Sequence, residues 1–165
     1  MKLPDLFSPS FINFDLLFSI IAARRGTLVK TIGDAVMAAF VEERDAVAAA
    51  IEMLERFPKF RRGMPEAERT FLKVGVYAGP CYVVTANGIL DYFGQTVNLA
   101  ARLQGAAGAG ELILVEAVAD EALESGWLGA HQPAERFDAV LKGLDGPVRV
   151  ARIPVDRPIR PSLGP

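Results

Sequence analysis

Leu28 to Phe40, LVKTIGDAVMAAF, constrains the fold of this chain more than any other stretch. Two apolar, partly β-branched runs, Leu28 to Ile32 and Ala35 to Phe40, flank a two-residue Gly33-Asp34 corner. Glycine at the first corner position supplies the positive φ of a II′ turn, so the spacing predicts an antiparallel hairpin. Lys30 and Asp34 are its only charges. A mid-strand lysine must point to a solvated or ligand-filled face. A carboxylate at the tip either bonds its own backbone as an ordinary turn residue or meets a cation.

Around the hairpin the pattern alternates helices and strands. Residues 1 to 10 hold two prolines and no period and read as irregular. Leu16, Ile20 and Ile21 predict a helix from about Phe11 to Arg24, ended by Gly26. Ala46, Ala49, Ala50, Met53 and Leu54 give the apolar stripe of a second helix, from Glu42 to about Arg56, with Pro58 as its stop. Lys59, Arg61, Arg62 and Arg69 read as a solvated basic face. Phe71 to Ala78 alternates as a half-buried strand, and Gly79-Pro80 interrupts it before a strand from Cys81 to Thr85. Asn87-Gly88 turns the chain back through Ile89, Leu90 and Asp91. Gly94 to Gln104 reads as a helix, Glu111 to Val115 as a buried strand, Glu116 to Glu124 as a short helix and Val148 to Ile153 as a final strand. Pro154, Pro158, Pro161 and Pro165 mark a linker or tail. The expected organisation is an irregular segment over 1–15, one domain over 16–153 and a proline-rich tail over 154–165. Mixed helices and hairpins make it α+β rather than a doubly wound parallel sheet.

Composition excludes several functions. A net charge of -2 over 165 residues gives no basic surface for a polyanion, so nucleic acid is not an expected partner. No apolar run approaches the ~20 residues that span a bilayer, and no signal-peptide plan opens the chain, so the cytoplasm is the expected location. One cysteine, Cys81, rules out an internal disulfide and reads as a small packed apolar side chain. One histidine, His131, leaves no material for histidine triads or zinc clusters. Chemistry here falls to carboxylates, lysine, arginine and a metal.

Asn98 and Arg102 lie four apart on the expected third helix and share a face, while Leu99 and Leu103 occupy another. An amide and a guanidinium on one face suit a polar ligand. Taken in order, KTIGDAVMAAF, GVYAGP at residues 75 to 80, DYFGQTVNLAARL from Asp91, and LKG at 141 to 143 resemble the catalytic domain of class III nucleotidyl cyclases, the adenylate and guanylate cyclase family. The resemblance covers about residues 16 to 153. It implies a ferredoxin-like core with added strands and a homodimer, or a heterodimer of cyclase domains, sharing the site.

The resemblance also assigns roles. Asn98 matches the ribose-orienting asparagine and Arg102 the transition-state arginine. Lys30 and Asp91 match the base readers. A lysine can only donate and an ionised aspartate only accept, which suits the acceptor nitrogen and amino donor of adenine and so selects ATP. Lys142 matches the triphosphate-binding lysine, and Asp34 matches one of two aspartates that hold two magnesium or manganese ions. The family's other aspartate lies on a first strand, in an aromatic-Asp-x-x-Gly-Phe-Thr run well over thirty residues before the hairpin corner. Only 33 residues precede Asp34 here, and neither Asp5 nor Asp15, read as a first-turn helix residue, stands in for it. Without that strand, sheet edges should be left unpaired and the core partly uncovered. Either the true chain starts upstream, or this form is unstable, partner-completed or catalytically silent. The leading expectation is an adenylate cyclase domain forming cyclic AMP and pyrophosphate from ATP by two-metal phosphoryl transfer. The alternative is a non-catalytic cyclase-like module that binds nucleotide or dimerises to regulate attached domains.

Overall fold

Buried leucines and valines place the core on both faces of one four-stranded sheet. The computed structural model describes residues 9–66 and 69–156. Its elements run α1 (Pro9–Ala23), β1 (Thr27–Ile32), β2 (Ala35–Ala39), α2 (Glu43–Arg61), β3 (Lys73–Val76), β4 (Tyr82–Ala86), β5 (Ile89–Phe93), α3 (Gln95–Ala106), β6 (Glu111–Val115), α4 (Glu116–Glu124), β7 (Glu135–Ala139) and β8 (Val148–Pro154). The sheet has the order β3-β6-β8-β7, with β3 parallel to β6 and the other pairs antiparallel. The class is α+β, as the mixed pattern predicts.

Strand β6 shows why the sheet is covered twice. Leu112 and Leu114 face one layer and Ile113 the other, and all three are fully buried. On the first side they meet Val47, Ile51 and Leu54 of α2 and Val118 and Ala122 of α4. On the second side Ile113 and Val150 meet Leu99 and Leu103 of α3. Gly75 fixes how closely α3 approaches. A Cβ there would land 2.7 Å from the Leu103 carbonyl carbon and closer still to the Gln104 nitrogen, both backbone atoms that cannot rotate away.

The two hairpins stand apart from this sheet. β1 pairs only with β2 and β4 only with β5, each as its own two-stranded sheet. Gly33 has a φ of 59°, as the Gly-Asp corner requires, and Asn87 and Gly88 both adopt positive φ, 54° and 75°. Among the described residues β3 has β6 as its single strand partner, and Ile32, Tyr82, Val83, Val84 and Phe93 are exposed.

Several boundaries differ from the sequence pattern. Residues 9–15 lie in α1 rather than in an irregular segment, because Pro9 occupies the first turn, where a missing N–H costs nothing. Asp15 is consequently mid-helix and exposed, while Asp5 lies outside the described residues. Helix α2 runs through Pro58 to Arg61. Arg61 is not a solvated base: its guanidinium donates to both carboxylate oxygens of the buried Asp156, at 2.5 and 3.2 Å, and lies 3.9 Å over the Phe71 ring. Pro154 ends β8, Val155 packs on the core and Asp156 is buried, so residues 154–156 of the span assigned to a tail belong with the sheet, and residues 157–165 lie outside the described ones. Cys81 is exposed rather than packed, since it follows the Gly79-Pro80 break at the mouth of the outlying β4–β5 hairpin.

Gly75→Ala tests the seat of α3. Forcing a methyl into the β3–α3 contact should lower stability by about 1–3 kcal/mol in urea denaturation. An unchanged midpoint would mean that α3 is free to move off the sheet.

Candidate active site

Lys30 is aimed by an irregularity in β1. The register with β2 slips between Leu28 and Lys30, so Val29 is an extra residue in the ladder, and such a bulge twists the strand and redirects the side chains beside it. On β5, Asp91 lies opposite Val84. The two charges meet across the hairpins: Lys30 Nζ donates to Asp91 Oδ1 at 3.0 Å and to Oδ2 at 3.3 Å. Both side chains are about one-third exposed, at 37% and 30%. Asp91 Oδ1 also accepts from the Tyr92 backbone N–H at 2.8 Å. The Lys30 hydrogen bond first, and the Tyr92 N–H second, hold the Asp91 carboxyl below its usual value. Lys30 Nζ further lies 5.7 Å from the centroid of the Phe93 ring.

The chain then turns at Gly94, whose φ of 130° an L side chain rarely adopts, straight into α3. Leu99 and Leu103 are buried against the sheet, and this turns Asn98 and Arg102 outward, both exposed and one helical turn apart. Two contacts fix the first turn of α3. The Thr96 hydroxyl donates to the Pro80 carbonyl, and the Gln95 amide donates to the Gly143 carbonyl. The second contact brings the Leu141–Gly143 turn, and exposed Lys142 with it, to the start of α3.

Lys30 and Asp91 are therefore in contact, Asn98 and Arg102 share a face, and Lys142 is tethered to the same helix through Gln95. Asp34 stands apart, exposed at the tip of the first hairpin. Among the described residues no three His, Cys, Asp or Glu side chains gather as metal ligands do. Clefts of about 660 and 490 Å³ lie elsewhere, the first beside Glu55 and His131 and the second beside Glu42 and Trp127. No described helix is long and apolar enough to cross a membrane. Sequence reasoning missed the Gln95 tether and the Val29 bulge, since neither leaves a local signal. It also passed over Phe93, although Phe93 stands two residues from Asp91 on a strand.

Comparisons with known proteins agree on one family. Residues 1–144 match the family described as adenylate and guanylate cyclase catalytic domain. An uncharacterised protein of Mycobacterium tuberculosis is 37% identical over 132 residues, covering 78% of this chain and 30% of its own length. An adenylate cyclase of Streptomyces coelicolor is 37% identical over 106 residues, covering 64% of this chain and 25% of its own. This chain thus spans under a third of the length of these curated relatives. Among solved structures, an adenylate/guanylate cyclase/hydrolase from Silicibacter pomeroyi superposes with a TM-score of 0.69 at 26% identity, over 85% of this chain and 77% of that one. The adenylyl cyclase CyaB of P. aeruginosa gives 0.65 at 20% identity, over 99% and 88%, a likeness of fold.

Asp91→Asn should loosen the two hairpins without touching the core. Amides of β1, β2, β4 and β5 are expected to exchange several-fold faster while those of β6 and β8 keep their rate; unchanged hairpin exchange would show that the pair holds nothing. Acid should do the same to the parent. Because the folded carboxyl titrates below the 3.8 of a free one, the contact is fully present above that value and is lost as pH falls through the lowered one.

Proposed function

This chain belongs to the adenylate and guanylate cyclase catalytic-domain family, and on that premise we propose that it is an adenylate cyclase domain, converting ATP to 3′,5′-cyclic AMP and pyrophosphate at a site shared between two cyclase domains. The observation that carries the reading is the Lys30–Asp91 pair. Two residues 61 apart, on separate hairpins, present one cationic donor and one anionic acceptor side by side. That is the complement of the adenine edge, whose ring nitrogen accepts and whose amino group donates; guanine offers the reverse.

The reaction itself is a displacement at phosphorus. The ribose 3′ hydroxyl bonds through its oxygen to the α-phosphorus as its proton passes to water, the bond from that phosphorus to the bridging oxygen breaks, and pyrophosphate leaves with the electron pair. Negative charge grows on the α-phosphoryl oxygens, and Arg102, exposed on α3, supplies a guanidinium for it. Asn98, one turn earlier, holds the ribose so that its 3′ oxygen stays in line. Lys142 reaches the triphosphate from the turn tethered to the helix start. The exposure of Asn98, Arg102 and the β4–β5 apolar surface supports a partner domain that closes the site.

The family generally uses magnesium or manganese. Asp34 is exposed, and among the described residues no three His, Cys, Asp or Glu side chains gather as metal ligands do, so a two-cation centre does not fit one chain's described residues. ATP binding without turnover in the presence of manganese would move the chain to the second reading, a nucleotide-binding or dimerisation module.

Two measurements test the assignment. Replacing Lys30 with Glu and Asp91 with Cys inverts one half of the base readout and removes the other. The ATP to GTP ratio of kcat/KM, or of affinities, should shift toward GTP by roughly two to four decades if both mispairings add. Retention of the parent's ratio by a folded double variant would remove Lys30 and Asp91 from base recognition.

Arg102→Ala should lower kcat by roughly 10²–10³ and leave KM nearly unchanged, because the contact strengthens only as charge develops. An unchanged kcat would reassign Arg102 to structure.

A further inference from the structure

The residues that read a base edge leave its faces uncovered. Edge hydrogen bonds replace bonds to water and contribute little net affinity, so a bound purine needs a surface against its ring. Such a surface stands beside the Lys30–Asp91 pair. Asp91 and Phe93 are two apart on β5 and share one face of the strand. The Phe93 ring is 51% exposed, and Lys30 Nζ lies 5.7 Å from its centroid while remaining 3.0 Å from Asp91. Among the described residues no aromatic side chain stacks on Phe93; the ring pairs are Phe14 with Phe18 and Phe57 with Phe60. Tyr82, opposite Phe93 in the β4–β5 register, is exposed as well, but Phe93 is the ring that lies against Lys30.

We propose that Phe93 is the stacking surface for the purine ring whose edge Lys30 and Asp91 read, and hence a determinant of nucleotide affinity but not of base choice. The inference rests on the nucleotide reading above and adds a residue to it. Its chemistry makes a distinctive demand. Stacking on an aromatic face tolerates any purine, whereas edge pairing discriminates between them, so loss of the ring must weaken adenine and guanine nucleotides alike.

The test titrates the full chain, Phe93→Leu and Phe93→Trp with ATP and with GTP by calorimetry, and records the oligomeric state of each by sedimentation. Leucine keeps an apolar side chain at an exposed position, so folding is not at stake. Phe93→Leu should weaken both nucleotides by roughly five- to thirtyfold with their ratio unchanged, and Phe93→Trp should bind at least as well as the parent. Parent-like affinity in Phe93→Leu overturns the stacking role. So does a loss of affinity that alters the ATP to GTP ratio, or one that accompanies a change of oligomeric state, which would make the ring a partner contact. A parent that binds neither nucleotide overturns the underlying reading together with this one, whereas parent binding with an indifferent Phe93→Leu overturns this one alone.

Discussion

The contact between the backbone of α3 and Gly75 of β3 is the constraint on which the geometry of this molecule turns. Because glycine lets Leu103 and Gln104 come down onto the strand, Leu99 and Leu103 fill the space above Ile113 and Val150. The opposite side of α3 is then committed to solvent, and it carries Asn98 and Arg102. Once the helix is seated, its first turn collects the Gly143 turn through Gln95 and the Pro80 segment through Thr96. One close approach in the core thus sets the position of three polar groups on the surface. Burial of the leucines supplies the driving force, at roughly 2 kcal/mol for each side chain taken out of water.

The hairpins obey a different physics. Among the described residues they share no strand pairing with the four-stranded sheet, and an ion pair about one-third exposed links them to each other. Exposed pairs of this kind contribute little to global stability. What such a pair does well is orient. Lys30 is drawn to one face of β5 and Asp91 is kept ionised, so the acceptor is charged throughout the neutral range. Packing is concentrated in the doubly covered sheet, and the hairpins carry the exposed side chains. Binding sites commonly place their specific side chains outside a packed core that positions them.

How much of this was legible in the sequence follows the range of the interactions. Both hairpin turns were readable because Gly33 and Asn87-Gly88 carry their backbone demand locally. The helix over Glu116 to Glu124 was readable from its own run of residues. Helix α1 begins earlier than its period suggests because Phe11, Ile12 and Phe14 set no clear spacing, and α2 passes through a proline that usually ends a helix. The division into three sheets was invisible, since pairing of β3 with β6 joins segments nearly forty residues apart. The same holds for Arg61, whose basic run reads as solvated although its partner Asp156 lies 95 residues on. The residues of the candidate site are legible by likeness to a family, and the contact between Lys30 and Asp91 is visible only in the fold.

Cys81, exposed at the entry to β4, bears on how this protein behaves in solution. The chain has no second cysteine, so any disulfide it forms joins two molecules. Its neighbours in sequence, Tyr82 and Val83, belong to an apolar surface of the kind that drives association. Air oxidation at that spot converts a reversible encounter into a covalent one, through sulfur rather than through the fit of the surfaces. A dimer counted without a reductant therefore reports thiol chemistry as well as affinity, and dissociation constants for this chain are meaningful in a reducing buffer.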